Sequence, residues 1–544
     1  MTKKLMKKYT IMASLMAFFV FSAKAQENNT ANQNIVHDYQ LYQKLNRSVY
    51  DTKTKFHSSI RGFYADDMKL KSAYDSLMNY GTDTLNRRSW VHRKLFQEHL
   101  IQFKTDEYNI YADFLADFQI GKDFKSDRST WLNTRGFQVG GNVGEQFSFY
   151  LNGLENQGKF ATYVNDYIVA NQVVPGQGYG KLSTEQQDWA YVTALLSYTP
   201  NKYLNFALGY DKNFIGDGYR SVLLSDVSSN YSFFRMRASL GGLQYQTIYA
   251  YMLDPGAPKL TNDRRLGDRG KWMAAHYLDW NATNTLSVGF FQAVTWADAE
   301  VEGKRGFDFN YIHPFIFTRP VENTNTTSPD KMRLGLNVKY ELLKKTALYG
   351  QFMFDEFTAK EFFKGDGYWA NKWAIQLGLR GADLFSIAKL NYLAEFNTAR
   401  PYTYAHFDRL SNYSNYNEPL AHPYGANFRE FLGLLNYSVK KFDFQGQALY
   451  SAYGLDPAAA NYGKDIFKSY NTRSVQYGSH VGQGILTELY MLQGKVAYLL
   501  NPKYNLRLEL GGVLRQEKNS LMNHKTAMVT FGLKTSFRNL YYDF

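Results

Sequence analysis

Alternation of apolar and polar residues with a period of two is the feature that most constrains the fold of this chain. In the stretch "TAMVTFGLKTSF", one face carries Ala527, Val529, Phe531, Leu533 and Phe537, and the other carries Thr526, Thr530, Gly532, Lys534 and Ser536. An apolar face suits lipid and a polar face suits water, which is typical of a strand in a transmembrane barrel. After residue 25 there is no run of roughly 18 apolar residues, so helical membrane spans are excluded.

Eighteen segments of this kind are predicted as strands. They cover residues 106–120, 132–144, 146–155, 187–199, 203–212, 229–240, 242–252, 270–281, 284–294, 332–341, 345–355, 371–381, 384–397, 427–439, 441–451, 487–500, 503–516 and 526–537. Strands of a soluble sandwich also alternate, so the fold class depends on the connections between the segments.

The predicted connections alternate between short and long along nearly the whole chain. Turns such as "TPNKY", "GG", "LLKK" and "VKKF" are tight. The long gaps lie at residues 156–186, 213–228, 253–269, 295–331, 398–426 and 452–486. Outer-membrane barrels have this pattern, with tight periplasmic turns and long external loops. The sequence therefore predicts an all-β transmembrane fold over residues 106–544, an antiparallel outer-membrane β-barrel of about 18 strands with its long loops at the cell surface.

Residues 1–25 predict a secretory signal peptide. The basic start contains Lys3, Lys4, Lys7 and Lys8, and it precedes a short apolar stretch and an A-x-A site that ends at Ala25. The apolar stretch is too short to span a membrane. Removal of the signal takes away five lysines and no acidic residue, which lowers the net charge from +13 to +8.

Residues 26–105 predict a small periplasmic helical region at the N-terminal side of the barrel. The segments "VHDYQLYQKL", "DDMKLKSAYDSLMNY" and "SWVHRKLFQEHLIQF" have helical spacing, and Ser89 suits the N-cap of the third. A plain linker is the alternative interpretation of this region.

Composition and motifs exclude several classes of function. The chain has no cysteine, so disulfides and thiolate metal sites are impossible. No block of lysine or arginine supports a nucleic-acid partner. No G-x-S-x-G, H-E-x-x-H or repeated D-x-D pattern is present, and the ten histidines are scattered. The sequence therefore predicts a protein that is not an enzyme, with no cofactor, no metal and no nucleic acid.

The stretch "DKNFIGDGYRSVLLSD", residues 211–226, is the most motif-like passage. Its glycines lie between two predicted antiparallel strands, and its pattern is neither G-x-G-x-x-G nor G-x-x-x-x-G-K-[ST], so it does not predict a phosphate-binding loop. Two interpretations remain. One is a structural loop pinned at the barrel mouth, which can fold into the lumen and pair Arg220 with Asp217 or Asp226, and the other is a loop that contacts a ligand.

The wider stretch "GYDKNFIGDGYRSVLLSDVSSNYSFFRM", residues 209–236, resembles the capsule-assembly Wzi family. The resemblance comprises the strand end, the Gly-x-Gly pair, the aromatic-Arg-Ser step and the Leu-Ser-Asp segment. Two positions depart from the family pattern, because Phe214-Ile215 replaces a tryptophan and Asp217 replaces a proline. A second stretch, "NYIHPFIFTRPVEN", is similar to the family's Asn-Pro-aromatic-Glu segment.

These two stretches supply the candidate loop, ligand or structural residues. They are Asp211, Gly216, Asp217, Gly218, Arg220, Ser221, Asp226, His313 and Glu322. The composition, the "AKAQ" cleavage site and the "YYDF" end resemble the Bacteroidetes type of the family, which includes gliding motility proteins. The resemblance implies a non-enzymatic outer-membrane surface protein of gliding motility or capsule assembly. Its implied partners are outer-membrane lipid, surface polysaccharide and gliding or secretion machinery.

A substrate-specific porin of 18 strands for small polar solutes is the alternative function. The long loops 156–186 and 452–486 are rich in Gly, Tyr, Asn and Gln, and such loops either plug the lumen or bind sugar. The chain ends in "RNLYYDF". This end resembles the signal that the barrel-assembly machinery reads, so that machinery is a predicted partner during biogenesis.

Overall fold

The computed structural model describes residues 33–53, 55–65, 67–82, 87–178, 180–261, 267–313 and 330–544. The predicted signal peptide and Glu322 lie outside the described residues. Among the described residues, no helix is both long and apolar enough to cross a membrane.

Eighteen antiparallel strands form a sheet that closes into a barrel of the outer-membrane type, as the sequence predicts. In chain order they are β1 (Tyr108–Asp123), β2 (Arg128–Val143), β3 (Phe147–Lys159), β4 (Gln187–Asn201), β5 (Leu204–Asp211), β6 (Tyr231–Leu240), β7 (Leu243–Asp254), β8 (Arg269–Asn281), β9 (Leu286–Ala297), β10 (Lys331–Leu343), β11 (Thr346–Glu356), β12 (Lys372–Gly381), β13 (Leu390–Ala399), β14 (Phe428–Val439), β15 (Phe442–Leu455), β16 (Ile485–Asn501), β17 (Leu506–Lys518) and β18 (Asn523–Lys534). The barrel closes where Phe118 of β1 lies opposite Leu533 of β18.

Side chains alternate between the outside of the barrel and its lumen. In β16, Leu486, Tyr490 and Leu492 are exposed on the outside, whereas Leu489 and Met491 are buried in the lumen. Along β1, Phe114, Phe118 and Ile120 are exposed in the same way. An outer surface rich in leucine and aromatic residues is the polarity expected of a wall that faces lipid.

Most strand ends lie within four residues of the prediction, and two of the differences have a clear local cause. The thirteenth strand begins at Leu390 instead of residue 384, because Asp383, Phe385 and Lys389 have positive φ angles that cannot continue a strand. The last strand ends at Lys534 instead of residue 537. There the backbone N–H groups of Thr535 (2.8 Å) and Ser536 (3.2 Å) donate to Asp117 Oδ1, which turns the chain away from the wall.

In the part of the chain that the structure describes, the helices are α1 (Tyr39–Val49), α2 (Lys71–Met78), α3 (Trp90–Phe96), α4 (Thr162–Asn171) and α5 (Ala359–Lys364). Short strand segments lie at Ile101–Lys104, Gly180–Lys181, Ala299–Glu300, Gly303–Lys304, Ser414–Asn415 and Glu418–Pro419, and 3-10 turns lie at Phe309–Ile312, Leu384–Ser386, Arg409–Ser411 and Tyr470–Thr472. Ser89 caps α3 by accepting a hydrogen bond from the His92 N–H (3.3 Å), as its position in the sequence suggests. The third helical segment is shorter than predicted, because Ile101–Lys104 pairs with β1.

That short pairing completes the barrel seam. β18 pairs only with the second half of β1, from Phe118 to Asp123. Ile101–Lys104 pairs with the first half of β1, where Ile101 lies opposite Ala112. The N-terminal segment thus occupies the edge that β18 leaves free. As a consequence, the last residues of the chain are available to enter the lumen.

The N-terminal region packs against the lumen side of several strands. Lys44 of α1 forms an ion pair with Asp443 of β15 (2.7 Å), and Ser59 donates to Asp279 of β8 (3.0 Å). Lys339 of β10 donates to Ser58 (2.9 Å). These contacts join residues 33–65 to opposite parts of the wall and fill part of the barrel interior.

Candidate functional site

The connection between β5 and β6, residues 212–230, runs through the lumen and is called the lumen loop. Every residue from 213 to 230 is buried, which is unusual for a loop because loops normally lie at the surface. Its buried backbone is bonded to other segments: the Gly216 N–H donates to Ser59 O (2.8 Å) and the Ser225 N–H donates to Leu420 O (2.8 Å). Its apolar residues join the largest buried cluster of the protein. The motif therefore lies inside the barrel and not at its mouth.

Arg220 is the centre of the lumen loop. Its guanidinium lies 3.2 Å from Glu430 Oε1 of β14 and 3.1 Å from Asp543 Oδ1, and all three side chains are almost wholly buried. Nη2 also donates to the backbone oxygen of Asp543 (2.9 Å). Arg220 thus pairs with Glu430 and Asp543, and not with Asp217 or Asp226 as the sequence suggests. Burial disfavours the charge, but Asp543 and Glu430 outweigh this effect and raise the pKa of Arg220 above its ordinary value.

The two glycines of the motif allow close contact with the wall. A Cβ at Gly216 would lie within 3.0 Å of Gln351 Nε2, and the φ angle of Gly216 is 141°, in the range that favours glycine. A Cβ at Gly218 would come equally close to a carboxylate oxygen of Glu395. That carboxylate accepts hydrogen bonds from the backbone N–H groups of Tyr219 (2.9 Å) and Arg220 (3.2 Å). The Gly-x-Gly pattern is therefore explained by packing.

The other candidate residues have different surroundings. Asp211 ends β5 opposite Tyr231, and Asp217 accepts a hydrogen bond from the Tyr50 hydroxyl (3.0 Å). Ser221 donates to the backbone oxygen of Ile215 (2.6 Å), which tightens the loop. His313 is exposed after the 3-10 turn Phe309–Ile312, in the connection between β9 and β10 and not in the lumen loop. The structure thus brings Gly216 to Asp226 together and leaves His313 outside the group.

The last ten residues, 535–544, are called the tail. Their contacts with the lumen loop could not be predicted from the sequence. Asp226 of the lumen loop accepts hydrogen bonds from Asn539 Nδ2 (2.7 Å) and the Tyr541 hydroxyl (2.9 Å). The Tyr219 hydroxyl donates to Asp543 (2.9 Å). The sequence does carry a signal, because an asparagine and an aspartate interrupt the aromatic residues of "RNLYYDF" and do not suit a lipid-facing strand.

A second group of residues lies at the end of the barrel where the long connections meet. This aromatic cluster comprises Tyr368, Trp369, Tyr402, Tyr470, Arg473 and Tyr477. The Arg473 guanidinium lies 4.2 Å from the centre of the Trp369 ring, and the Tyr477 ring lies 5.5 Å from the Tyr368 ring. Tyr477 is half exposed, whereas Trp369 is buried beneath Arg473. The connections 357–371, 400–427 and 456–484 all contribute, so the cluster is not visible as one motif in the sequence.

Searches of protein families and of curated proteins found no match to this sequence. Among solved structures, the chain is similar to Wzi of Escherichia coli, an outer-membrane protein involved in group 1 capsule assembly that is described as a carbohydrate-binding β-barrel. The TM-score is 0.52 at 13% identity, over 92% of this chain and 99% of that chain. The fold is Wzi-like.

Two further structures are less similar to this chain. OprD of Pseudomonas aeruginosa gives a TM-score of 0.41 at 10% identity, over 78% of this chain and 94% of that chain. OccAB2 of Acinetobacter baumannii gives a TM-score of 0.41 at 7% identity, over 78% of this chain and 97% of that chain.

The buried charged groups around the lumen loop bond to the loop itself. Within the described part of the chain, no group of three or more His, Asp or Glu residues is arranged to hold a metal ion. The buried carboxylates of the lumen, Glu395 and Glu430, are bonded to the lumen loop and to neighbouring side chains such as Asn397. They fix the loop in place.

Glu418 provides a pH-dependent contact between long connections. Its carboxylate accepts hydrogen bonds from the Ser229 N–H (2.8 Å) and the Gly176 N–H (2.7 Å). Burial raises the pKa of Glu418 from 4.5 to about 7. A raised pKa favours the protonated form in the folded state, so its contribution to stability is present below pH 4.5 and is lost as the pH rises through about 7. The change amounts to about 3 kcal/mol at most.

We expect the melting temperature of Glu418→Gln to depend less on pH between 4.5 and 7 than that of the unchanged protein, because the variant cannot ionise at this position. The measurement is tryptophan fluorescence during heating in detergent. Glu185→Gln is the matched control, since Glu185 is an exposed acid on the same connection as Gly176. Equal pH slopes in the unchanged protein and in Glu418→Gln would contradict the prediction.

Proposed function

We propose that this protein is a non-enzymatic outer-membrane surface protein that binds surface polysaccharide and acts in capsule assembly and attachment or in gliding motility. The observation that carries the proposal is the aromatic cluster, which lies at the long-loop end of a barrel whose lumen is filled by its own chain. The capsule-assembly role of Wzi, whose fold is similar, supports the same conclusion.

The aromatic cluster has the chemistry of a sugar-binding surface. Aromatic rings offer rigid apolar faces, and their hydroxyl groups add hydrogen bonds at little cost in conformational entropy. The half-exposed Tyr477 ring lies beside Tyr368, and Arg473 is held over Trp369 while its Nε donates to Gln476 Oε1 (2.8 Å). Because Arg473 is fixed from two sides, its remaining N–H groups are oriented before a ligand arrives. Such pre-organisation favours binding.

The filled lumen favours recognition over transport. The lumen loop, the tail and residues 33–65 occupy the space through which a solute would pass. A substrate-specific porin for small polar solutes is the competing proposal, and it requires this space to open. A stable conductance of the unchanged protein in planar bilayers would favour the porin, and a closed barrel would favour surface recognition.

The proposed location is the outer membrane, with the long connections at the cell surface and the N-terminal region 26–105 on the periplasmic side, from which residues 33–65 reach into the lumen. The apolar outer surface of the strands supports contact with outer-membrane lipid. We further propose a protein of Bacteroidetes type, similar to the gliding motility protein RemB, with the gliding or secretion machinery as a partner and the barrel-assembly machinery as its insertion partner. The composition, the "AKAQ" segment and the "YYDF" end support the assignment to the Bacteroidetes type, and the end "RNLYYDF" supports the barrel-assembly machinery as a partner.

Substitution Tyr477→Ala is expected to weaken the binding of purified surface polysaccharide about three- to tenfold, because it removes an exposed ring that stacks on a sugar. Arg473→Gln is expected to have a similar effect. Binding is measured by a fluorescence titration of labelled polysaccharide with the protein in detergent. Phe385→Ala is the control, since Phe385 is a still more exposed ring at the opposite end of the barrel. Equal losses in Tyr477→Ala and Phe385→Ala would contradict a site at the long-loop end.

Tracking of single molecules on live cells separates the two biological roles. A fluorescent tag for this experiment is inserted in α5, whose residues are mostly exposed. The connection after β3 is less suitable, because α4 and its neighbours there are partly buried. Directed motion along the cell would support gliding motility. A stationary signal, together with loss of capsule staining in a deletion strain, would support capsule attachment.

A further inference from the structure

We infer that a cavity inside the barrel binds a small organic carboxylate. The cavity has a volume of about 200 Å³ and lies between the tail and the wall formed by β15 to β18 with β1 and β2. Tyr163 of α4 lines one end, and Asp38 and Gln40 near the start of α1 line the other. It is separate from the aromatic cluster, which the proposed function uses.

Two cations of this cavity, Lys495 and Arg507, have donor groups without a partner among the described residues. Lys495 of β16 points into the lumen, and its amine has no hydrogen bond or ion pair with any residue that the structure describes. Arg507 of β17 is more than nine-tenths buried, and its Nη1 has no hydrogen-bond partner among the described atoms. A buried donor without a partner destabilises a protein unless a ligand or water satisfies it.

The carboxylates at the cavity already have partners. Glu509 accepts from Arg507 Nε (3.1 Å) and Lys534 Nζ (2.6 Å). Asp117 is bonded to Arg538 (2.8 Å) and to the turn into the tail. Asp38 accepts from the N–H of Leu41 and caps α1. Among the described residues, the charge of Lys495 therefore has no paired carboxylate, and together with the unpartnered Nη1 of Arg507 it favours an anion.

The size and lining of the cavity specify the class of anion. Its volume is below the roughly 300–1,000 Å³ of pockets for drug-sized ligands, so the ligand is small. The amide of Gln493 and the hydroxyl groups of Thr530 and Tyr219 also line the cavity and can bond to hydroxyl groups. An arginine binds a carboxylate in a planar, two-point fashion, and the lysine adds a point charge. A linear polyhydroxy carboxylate satisfies all of these groups.

The test is isothermal titration of the full chain in detergent with gluconate, and with sorbitol as the neutral probe of similar length. We expect gluconate to bind and sorbitol not to bind. Lys495→Gln is expected to weaken gluconate binding about tenfold or more, because it removes a charge-assisted hydrogen bond, whereas Lys495→Arg keeps the charge and the binding. Lys440→Gln, which removes the same charge from an exposed turn, is the matched control.

The outcomes distinguish this cavity from the proposed surface site. Gluconate lacks a sugar ring, so Tyr477→Ala should leave its binding unchanged while it weakens polysaccharide binding. The inference is overturned if gluconate does not bind, if Lys495→Gln and Lys440→Gln have the same affinity for gluconate, or if sorbitol binds as well as gluconate. Inorganic phosphate that binds more tightly than gluconate would also overturn the assignment to a carboxylate.

Discussion

Removal of the tail, residues 535–544, is expected to change the closed barrel into a conducting one. The tail fills the lumen beside the cavity of about 200 Å³, and Tyr541 and Asp543 are buried there. It also holds the lumen loop, because Asp543 pairs with Arg220 and Tyr541 donates to Asp226. Its loss would both empty its own volume and release the loop. Water-filled lumens of barrels with this number of strands conduct ions.

Single-channel recordings in planar bilayers measure this effect. We expect a closed baseline for the full chain and stable openings for the truncated chain. A variant in which residues 535–544 are replaced by a Gly/Ser sequence of equal length is the matched control for length. It should also open, but its openings should be shorter. Because truncation can impair barrel assembly, the double variant Tyr541→Phe and Asp543→Asn tests the same anchors in a full-length chain. No conductance in any of the three variants would show that the tail does not close the lumen.

The strands of the wall could be predicted from the sequence because their signal is local. A residue's position in an alternating segment decides whether it faces lipid or lumen, as Leu492 and Met491 of β16 show. Turn residues then fix where each strand ends. The prediction that residues 384–389 belong to the thirteenth strand is wrong for a local reason as well, since residues other than glycine adopt positive φ angles there.

The contents of the lumen could not be predicted, because they depend on contacts between residues far apart in the chain. Arg220 and Asp543 are 323 residues apart, and Tyr50 and Asp217 are 167 residues apart. A pattern with a period of two says that Glu430 faces inward but not which cation it meets. The aromatic cluster is hidden for the same reason, since Trp369, Tyr402 and Tyr470 belong to three separate connections.

The candidate motif contains both a feature that could be predicted from the sequence and one that could not. Its glycines could be identified from the sequence, and the structure explains them by the approach of Gln351 and Glu395. The pairing of Arg220 could not, because nearby acids in the sequence, Asp217 and Asp226, have other partners in the structure. Inside the barrel, Arg220 forms ion pairs with acids that are distant in the chain, Glu430 and Asp543, and not with the acids near it in the sequence.

Substitution Arg220→Ala is expected to release the lumen loop and the tail while the barrel stays folded. The change leaves the carboxylates of Glu430 and Asp543 buried without their cation. Removal of one partner of a buried ion pair destabilises by about 3–5 kcal/mol. His422 (2.8 Å) and Asn397 (2.9 Å) still contact Glu430, so the strand itself keeps its bonds. The loss is therefore confined to the two segments that Arg220 joins.

Hydrogen exchange measured by mass spectrometry reports this local release. Peptides from residues 212–230 and 535–544 are expected to exchange roughly 100- to 5,000-fold faster in Arg220→Ala, whereas peptides from β14 and β17 keep their protection. Arg47→Ala is the matched control, because Arg47 is exposed and its contact with Asp383 is 3.7 Å long, so the loss should be below about 1 kcal/mol. If exchange rises equally across the strands, Arg220 supports the whole barrel, and if it rises nowhere, the buried pair does not hold the tail.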